Sequence, residues 1–165
     1  IDVGTGAGIP GLLLKIYRPD LRISLLDARK KKINFLRQTI FEMGIKNTEC
    51  IWGRAEKIGQ DINYRENFHI AVARGVGKLN LLAEYCLPLV KVDGFMVAYK
   101  GPEGEKELIS TRGAISLLGG KEKKIWQGTL ISGLEKRQLI IIKKEMHTPN
   151  NYPRRQGIPA KRPLK

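Results

Sequence analysis

Apolar residues in the first part of the chain alternate between helical spacing and short strand-like runs. After a glycine-rich loop at residues 4–8, apolar side chains recur on one helical face until a Pro-Asp pair ends the segment. Residues 22–27 then predict a strand that ends in an acid. Apolar positions at residues 33–43 predict a second helix, which ends at Gly44. The pattern therefore predicts a loop, a helix, a strand and a helix in succession.

The same alternation continues beyond Gly44, where apolar runs rich in β-branched residues are separated by segments with helical spacing. Asp93 and Gly94 are interpreted as an exit turn between a helix and the strand that follows it. The predicted elements are strands at residues 49–53, 69–73 and 94–99, and helices at residues 78–90 and 103–118.

The last part of the chain changes character. Residues 125–131 and 137–144 are two β-type runs joined by a short turn around Gly133, which is typical of an antiparallel hairpin. Strands that alternate with helices predict an α/β fold of the doubly wound, Rossmann-like type, with a mostly parallel sheet extended by this C-terminal antiparallel hairpin. Beyond the hairpin the chain is rich in Pro, Arg and Lys, so we predict one domain at residues 1–147 and a basic tail at residues 148–165.

Composition narrows the class of partner. The 165 residues carry 30 Lys and Arg against 16 Asp and Glu, and this net charge of +14 favours a polyanion such as nucleic acid. No apolar run reaches the roughly 18 residues that span a bilayer, so we expect no membrane contact. Cys50 and Cys86 lie in apolar segments, which is typical of packed, reduced thiols in a cytoplasmic protein. We expect a monomer without a metal site.

A glycine loop and an acid predict a nucleoside cofactor. Gly4, Gly6 and Gly8 stand between a strand and a helix, where glycines let exposed backbone N–H groups approach a ligand. Asp27 ends the next strand, where a carboxylate accepts hydrogen bonds from ribose hydroxyls. The spacing Gly-x-Gly-x-Gly, rather than the dinucleotide form Gly-x-Gly-x-x-Gly, favours S-adenosylmethionine. A nicotinamide-dependent oxidoreductase stays open as an alternative.

Two further polar positions lie at predicted strand ends, where the crevice of an open sheet binds ligands. Arg54, Ala55 and Glu56 follow the third strand, and Arg54 is equally well explained as surface charge. Arg74 stands in an apolar run, where an unpaired guanidinium is costly, so a carboxylate such as the methionine end of the cofactor is an attractive partner. Trp52 and Trp126 are interpreted as packing in the core or at the cofactor edge.

Basic residues of the tail are the best candidates for phosphate contacts, because they lie in a Pro-punctuated segment without acids. These candidates are Arg154, Arg155, Lys161 and Arg162, with Lys100 extending the track. The charge run 29–32 opens a helix and is equally well interpreted as an RNA contact or as a solvated face.

Five motifs lie at residues 2–11, 52–56, 73–74, 100–102 and 152–164, and the last is the most specific. Together they resemble the small-subunit ribosomal RNA guanine-N7 methyltransferases, formerly called glucose-inhibited division protein B. Members of that family carry a helical segment before the first strand, whereas this chain opens with only three residues before the glycine loop, so we expect that it begins inside a strand.

The resemblance implies an S-adenosylmethionine-dependent Rossmann-like fold and methyl transfer to N7 of a guanine in 16S rRNA near the decoding centre, on naked RNA or on the small subunit. It also implies roles for individual residues in holding the cofactor. Gly4 and Ile9 are implied to contact it, Asp27 with Ala28 and Arg29 to surround its ribose, Ala55 and Glu56 its adenine, and Arg74 its methionine end.

The expected chemistry needs no general base or covalent nucleophile, because guanine N7 offers a lone pair and carries no proton to remove. We therefore assign no catalytic residue and expect catalysis by positioning. A cytosine-C5 enzyme needs a nucleophilic cysteine, but Cys86 lies within a helical run and is predicted to pack in the core. A second alternative stays open, a non-catalytic RNA-binding or ribosome-assembly factor with the same fold.

Overall fold

The computed structural model describes residues 1–129 and 136–165, which form one seven-stranded sheet with helices on its faces. The predicted turn around Gly133 lies outside the described residues. The strands are β1 (Asp2–Val3), β2 (Ile23–Asp27), β3 (Thr48–Trp52), β4 (Phe68–Arg74), β5 (Val90–Lys100), β6 (Gly120–Thr129) and β7 (Lys136–Lys144). The helices are α1 (Gly11–Tyr17), α2 (Lys30–Glu42), α3 (Ala55–Ile58), α4 (Leu79–Cys86, continued by a 3-10 turn at Leu87–Leu89), α5 (Gly104–Leu117) and α6 (Ile158–Lys161).

The strand order β3-β2-β1-β4-β5-β7-β6 confirms the predicted fold class. β1 to β5 run parallel, and β7 pairs antiparallel with both β5 and β6. The order of the parallel strands reverses between β1 and β4, and in such sheets the crevice beyond the carboxyl ends of the strands at this reversal binds ligands. Within the described residues, every helix is too short or too polar to span a bilayer.

Two details of the prediction are wrong. Asp93 and Gly94 lie inside β5, where Asp93 has a φ of 67° and the β4–β5 register shifts between Phe68 and Ile70. A bulge and a turn both use left-handed residues, so the sequence pattern does not separate them. Trp126 lies on the edge strand β6 and is 48% exposed, so it does not pack in the core.

The basic tail is folded back onto the domain, and we call residues 148–165 the strap. The guanidinium of Arg65 donates to the backbone carbonyls of Thr148 and Tyr152, both at 2.7 Å, and to that of Pro149 at 3.2 Å. The side-chain amide of Gln60 donates to the carbonyl of Pro153 at 2.9 Å. The strap is therefore attached mainly through its main chain.

A buried lysine joins the start of the strap to the sheet. Lys144 is fully buried at the end of β7, and its ammonium donates to Leu87 O at 2.6 Å and to the Thr148 hydroxyl, and pairs with Glu66 at 3.1 Å. Glu66 also accepts the Thr148 amide at 2.7 Å and contacts His147 Nδ1 at 2.5 Å. Burial lowers the pKa of Lys144 to about 8, although Glu66 opposes the shift. These contacts use all three ammonium protons.

Candidate functional site

A cleft of about 280 Å³ lies beyond the carboxyl ends of β1, β2, β3 and β4. It opens at the reversal of strand order, where the sequence predicted a cofactor. Residues from four connections line it, among them Gly4, Asp27, Ala28, Arg29, Ala55, Glu56, Val76 and Tyr85.

The loop after β1 is built from glycines in left-handed conformation. Gly4 has a φ of 75° and Gly6 a φ of 60°, which other residues rarely adopt. A Cβ on Gly4 would lie 2.5 Å from Val76 Cγ2 in the opposite wall, so a side chain there would close the cleft. Gly4 and Thr5 anchor the loop by donating their amides to Leu26 O at 2.8 and 3.0 Å. The loop is thus a preformed, open cradle.

Asp27 joins this loop to the end of β2. Its Oδ2 accepts the amide of Gly6 at 3.0 Å, and its Oδ1 accepts the amide of Arg29 at 2.8 Å. Burial raises the pKa of Asp27, but hydrogen bonds from Arg29 and Gly6 outweigh it and hold the pKa below its usual range. Asp27 is therefore a fixed carboxylate at the wall of the cleft. Oδ1 also accepts Arg29 Nε at 3.3 Å, so Oδ2 is the oxygen that keeps a lone pair for a ligand hydroxyl.

Asp2 belongs to the predicted motif, but the sequence pattern assigned it no role of its own. Its Oδ2 accepts the Thr5 hydroxyl at 2.6 Å and the Gly11 amide at 2.8 Å, which closes the loop onto α1. Its Oδ1 is the only buried side-chain polar atom without a partner among the described residues. Burial raises the pKa of Asp2. An unmatched acceptor of this kind fits a donor supplied by a bound ligand or water.

The wall opposite Asp27 is formed by Ala55, Glu56 and Tyr85. Glu56 is 4% exposed, and its Oε1 accepts the Tyr85 hydroxyl at 3.3 Å and the Gly157 amide at 3.0 Å. Burial and the neighbouring Glu56 raise the pKa of Tyr85 to about 12, so the hydroxyl stays protonated. Tyr85 was not predicted from the sequence, because it takes an apolar position in α4.

Four of the predicted cofactor residues, Gly6, Gly8, Ile9 and Arg74, lie outside the lining of this cleft. Gly6 contributes through its amide, which donates to Asp27 Oδ2. Gly8 packs against α1, since a Cβ there would lie 2.8 Å from Leu12 Cβ. Ile9 is 38% exposed at the start of α1, and Arg74 is exposed at the end of β4 beside the lining residues Gly75 and Val76. Within the described part of the protein, Arg74 forms no hydrogen bond or ion pair with another side chain.

Trp52 supports the Asp27 side of the cleft from outside. Its indole N–H donates to Ala28 O at 3.1 Å, and Lys30 lies over its ring at 5.1 Å from the centroid. The side chain is 55% exposed, so it does not pack in the core, and packing at the cofactor edge stays a prediction. Trp52 therefore fixes the loop that follows Asp27.

Two of the predicted RNA-binding residues already have protein partners, and this corrects their interpretation. Lys100 pairs with Glu107 at 2.8 Å and donates to Gly77 O, with its side chain only 10% exposed. Arg154 pairs with the fully buried Glu84 at 2.7 Å. Both cations are neutralised within the fold, so neither is available as a free phosphate contact. The other predicted cations, Arg155, Lys161 and Arg162, are exposed.

A larger cavity of about 480 Å³ lies at the opposite end of the sheet, around the start of β6 and the end of β7. Charged residues at its rim pair with each other, Arg112 with Glu122 at 3.1 Å and Lys121 with Glu145 at 3.9 Å. This end lacks the glycine loop and the strand-end acid. The smaller cleft is therefore the candidate site.

Comparisons with known proteins identify the family of the chain. The family model described as "GidB: rRNA small subunit methyltransferase G" matches residues 1–140. A curated relative named ribosomal RNA small subunit methyltransferase G, from Moorella thermoacetica, is 60% identical over 164 residues, which are 99% of this chain and 68% of the relative. A relative of the same name from Lactobacillus helveticus is 45% identical over 163 residues, with the same coverage of 99% and 68%.

Solved structures agree on the fold. A 16S rRNA (adenine(1408)-N(1))-methyltransferase variant from Catenulisporales acidiphilia, solved with its cosubstrate SAM, has a TM-score of 0.70 at 11% identity and covers 90% of this chain and 85% of its own. An rRNA methylase from Streptococcus thermophilus has a TM-score of 0.61 at 17% identity and covers 88% of this chain and 85% of its own. At such identities the likeness concerns the fold alone.

Proposed function

The chain belongs to the rRNA small subunit methyltransferase G family, and from that membership we propose that it transfers the methyl group of S-adenosylmethionine to N7 of a guanine in 16S rRNA, near the decoding centre. The structural observation that carries this proposal is the hydrogen bond from the Gly6 amide to Asp27 Oδ2 at 3.0 Å. It joins the glycine cradle and the strand-end acid into one wall, which suits an adenosyl ligand.

The residues of the cleft fit S-adenosylmethionine, which supplies an electrophilic methyl group when bound. We assign Asp27, with Ala28 and Arg29, to the ribose hydroxyls, and Ala55 and Glu56 to the adenine. Gly4 admits the ligand because it carries no Cβ, which would lie 2.5 Å from Val76 Cγ2, and Gly6 holds Asp27 in place through its amide. The unmatched Asp2 Oδ1 offers an acceptor beneath this loop. Arg74 is assigned to the carboxylate of the methionine end, since it is exposed beside the cleft.

The protein then has to align guanine N7 with the methyl group of the cofactor. Guanine N7 presents its lone pair without losing a proton, so the side chains need to fix the two reactants in line and exclude water. This agrees with the groups at the cleft, since the Tyr85 hydroxyl is held protonated by Glu56, and Asp27 is already engaged by backbone amides. We assign no group of the cleft to acid–base catalysis.

We place the reaction in the cytoplasm, on 16S rRNA or on the small subunit. We also propose that the enzyme acts as a monomer, with a methyltransferase domain at residues 1–147 and the strap at residues 148–165. The net charge of +14 supports a polyanionic partner. Sedimentation of the protein alone tests whether it is a monomer. Sedimentation with 16S rRNA and with small subunits tests which of the two it binds.

Transfer of labelled methyl groups tests the function. The full chain is incubated with methyl-tritiated cofactor and undermethylated 16S rRNA or small subunits, and the label is expected on one guanine as 7-methylguanine. RNA binding without label would favour a non-catalytic assembly factor. Calorimetry with S-adenosylmethionine and with NADH separates the oxidoreductase alternative, since binding of NADH alone would overturn the cofactor assignment.

Free cations of the strap are expected to contact RNA phosphates. The combined change Arg155→Ala, Lys161→Ala and Arg162→Ala should weaken RNA binding and reduce the slope of log affinity against log salt by roughly 0.7 to 0.9 for each phosphate that is no longer neutralised. Cofactor affinity should stay unchanged, because these side chains lie outside the lining of the cleft and the variant keeps the contacts of Arg154 with Glu84 and of the Gly157 amide with Glu56. Filter binding at several salt concentrations measures the slope.

The matched control removes three exposed cations at the opposite ends of the strands, Arg22, Lys46 and Lys123. It changes the net charge by the same amount. If the control flattens the salt dependence as much as the strap variant does, the strap has no special part in RNA binding and the effect is one of overall charge.

A further inference from the structure

The strap reaches the cofactor cleft through two contacts with the domain. The first is the ion pair of Arg154 with Glu84 of α4, in which the Arg154 amide and Nε donate to Oε1 at 2.9 and 2.8 Å and Nη2 donates to Oε2 at 2.7 Å. Nη2 also donates to Arg162 O at 2.8 Å, so the same guanidinium fixes the end of α6. Because Glu84 is fully buried, its charge depends on Arg154 for compensation.

The second contact ends in the wall of the cleft itself. Gly157 has a φ of 82°, and in this left-handed conformation its amide donates to Glu56 Oε1 at 3.0 Å. Glu56 Oε1 also accepts the Tyr85 hydroxyl, whereas no donor among residues 1–129 and 136–165 contacts Oε2. A single strap amide and one hydroxyl therefore hold a buried carboxylate that lines the site.

We propose that Arg154 and Gly157 of the strap are positioning residues of the cofactor site, so that docking of the strap and binding of the adenosyl cofactor strengthen each other. This rests on the proposed function. The docked strap fixes Glu56 in the cleft wall, and by linkage the bound cofactor holds the strap in place. The same segment carries Arg155, Lys161 and Arg162, so cofactor binding sets the arrangement in which these cations meet RNA.

Binding to a strap variant tests the first half of this linkage. Arg154→Ala in the full chain should weaken binding of S-adenosylhomocysteine, measured by calorimetry, by about fivefold or more, the lower range of measured couplings between sites. The control Arg18→Ala also removes an arginine from an ion pair with a carboxylate, but this pair is exposed and lies at the end of α1. It should bind as the unchanged protein does. Equal affinities of all three proteins would overturn the proposal.

The reciprocal measurement needs no variant and therefore survives if Arg154→Ala fails to fold. Hydrogen exchange of the Arg154 and Gly157 amides should slow when S-adenosylhomocysteine is added, by more than exchange at the opposite edge, in β6. A merely structural strap predicts a uniform change or none, and either result would contradict the proposal. A protein that binds no adenosyl ligand at all would instead contradict the proposed function, so the two failures are distinguishable.

Discussion

Replacing Asp27 with Ala is expected to abolish detectable methyl transfer by lowering the affinity for S-adenosylmethionine at least about 100-fold, which corresponds to about 2.7 kcal/mol. The change removes the acceptor of two backbone amides, Gly6 and Arg29, and each unmatched amide costs about 1 to 3 kcal/mol. It also removes the carboxylate assigned to the ribose. Calorimetry with S-adenosylhomocysteine measures the loss directly.

Two companion variants make this result specific. Asp20→Ala removes an acid of the same type from an exposed pair with Arg18 and should bind the cofactor normally. Asp27→Asn keeps one carbonyl oxygen but loses the charge and the second acceptor, so its affinity should fall between those of the unchanged protein and Asp27→Ala. If a thermal unfolding curve shows that Asp27→Ala is folded and the variant still binds the cofactor tightly, the ribose assignment is wrong.

Replacing Lys144 with Ala is expected to cause a large loss of stability, about 3 to 5 kcal/mol. The side chain is fully buried, and its removal leaves Glu66 and the Leu87 carbonyl without their cationic partner. For a chain of this length such a loss lowers the melting temperature by roughly 6 to 20 °C. Calorimetric or fluorescence melting of the full chain measures it.

The neighbouring lysine is a matched control. Lys143 points to the other face of β7 and pairs with Asp93 at 2.8 Å, but Asp93 is 78% exposed. Exposed pairs are screened by solvent and contribute little to stability, so Lys143→Ala should shift the melting temperature only slightly. Equal shifts for the two variants would show that the Lys144 cluster does not anchor the strap.

Sequence reasoning succeeded where local pattern decides the structure. The alternation of strand-like runs and helical spacing led to the order of elements, and the glycine spacing with Asp27 led to the cleft. Both depend on neighbours within about one βαβ unit. Cys86 was also predicted correctly as a packed thiol, and it is fully buried. The individual cofactor contacts stay predictions.

Sequence reasoning failed where distant residues meet. Arg154 looked like a free cation because the tail contains no acid, but its partner Glu84 lies 70 positions earlier, on α4. Tyr85 was missed for the same reason, since its helical spacing marks it only as an apolar position. The bond from Gly157 to Glu56 was missed as well, because the two residues are 101 positions apart in the sequence. A single sequence carries no signal for pairs of this kind.

The way Arg65 holds the strap bears on which substitutions the protein can absorb. Its guanidinium donates hydrogen bonds to the backbone carbonyl oxygens of Thr148, Pro149 and Tyr152, and none of these bonds depends on a side chain of the strap. As far as these bonds are concerned, the side chains at these positions can change while the backbone path is kept. Thr148 and Tyr152 are limited by their other contacts, since the Thr148 hydroxyl accepts from Lys144 and Tyr152 packs against the core. Arg65 itself cannot be replaced in this way, because the compact ammonium of a lysine cannot donate to all three of these carbonyl oxygens.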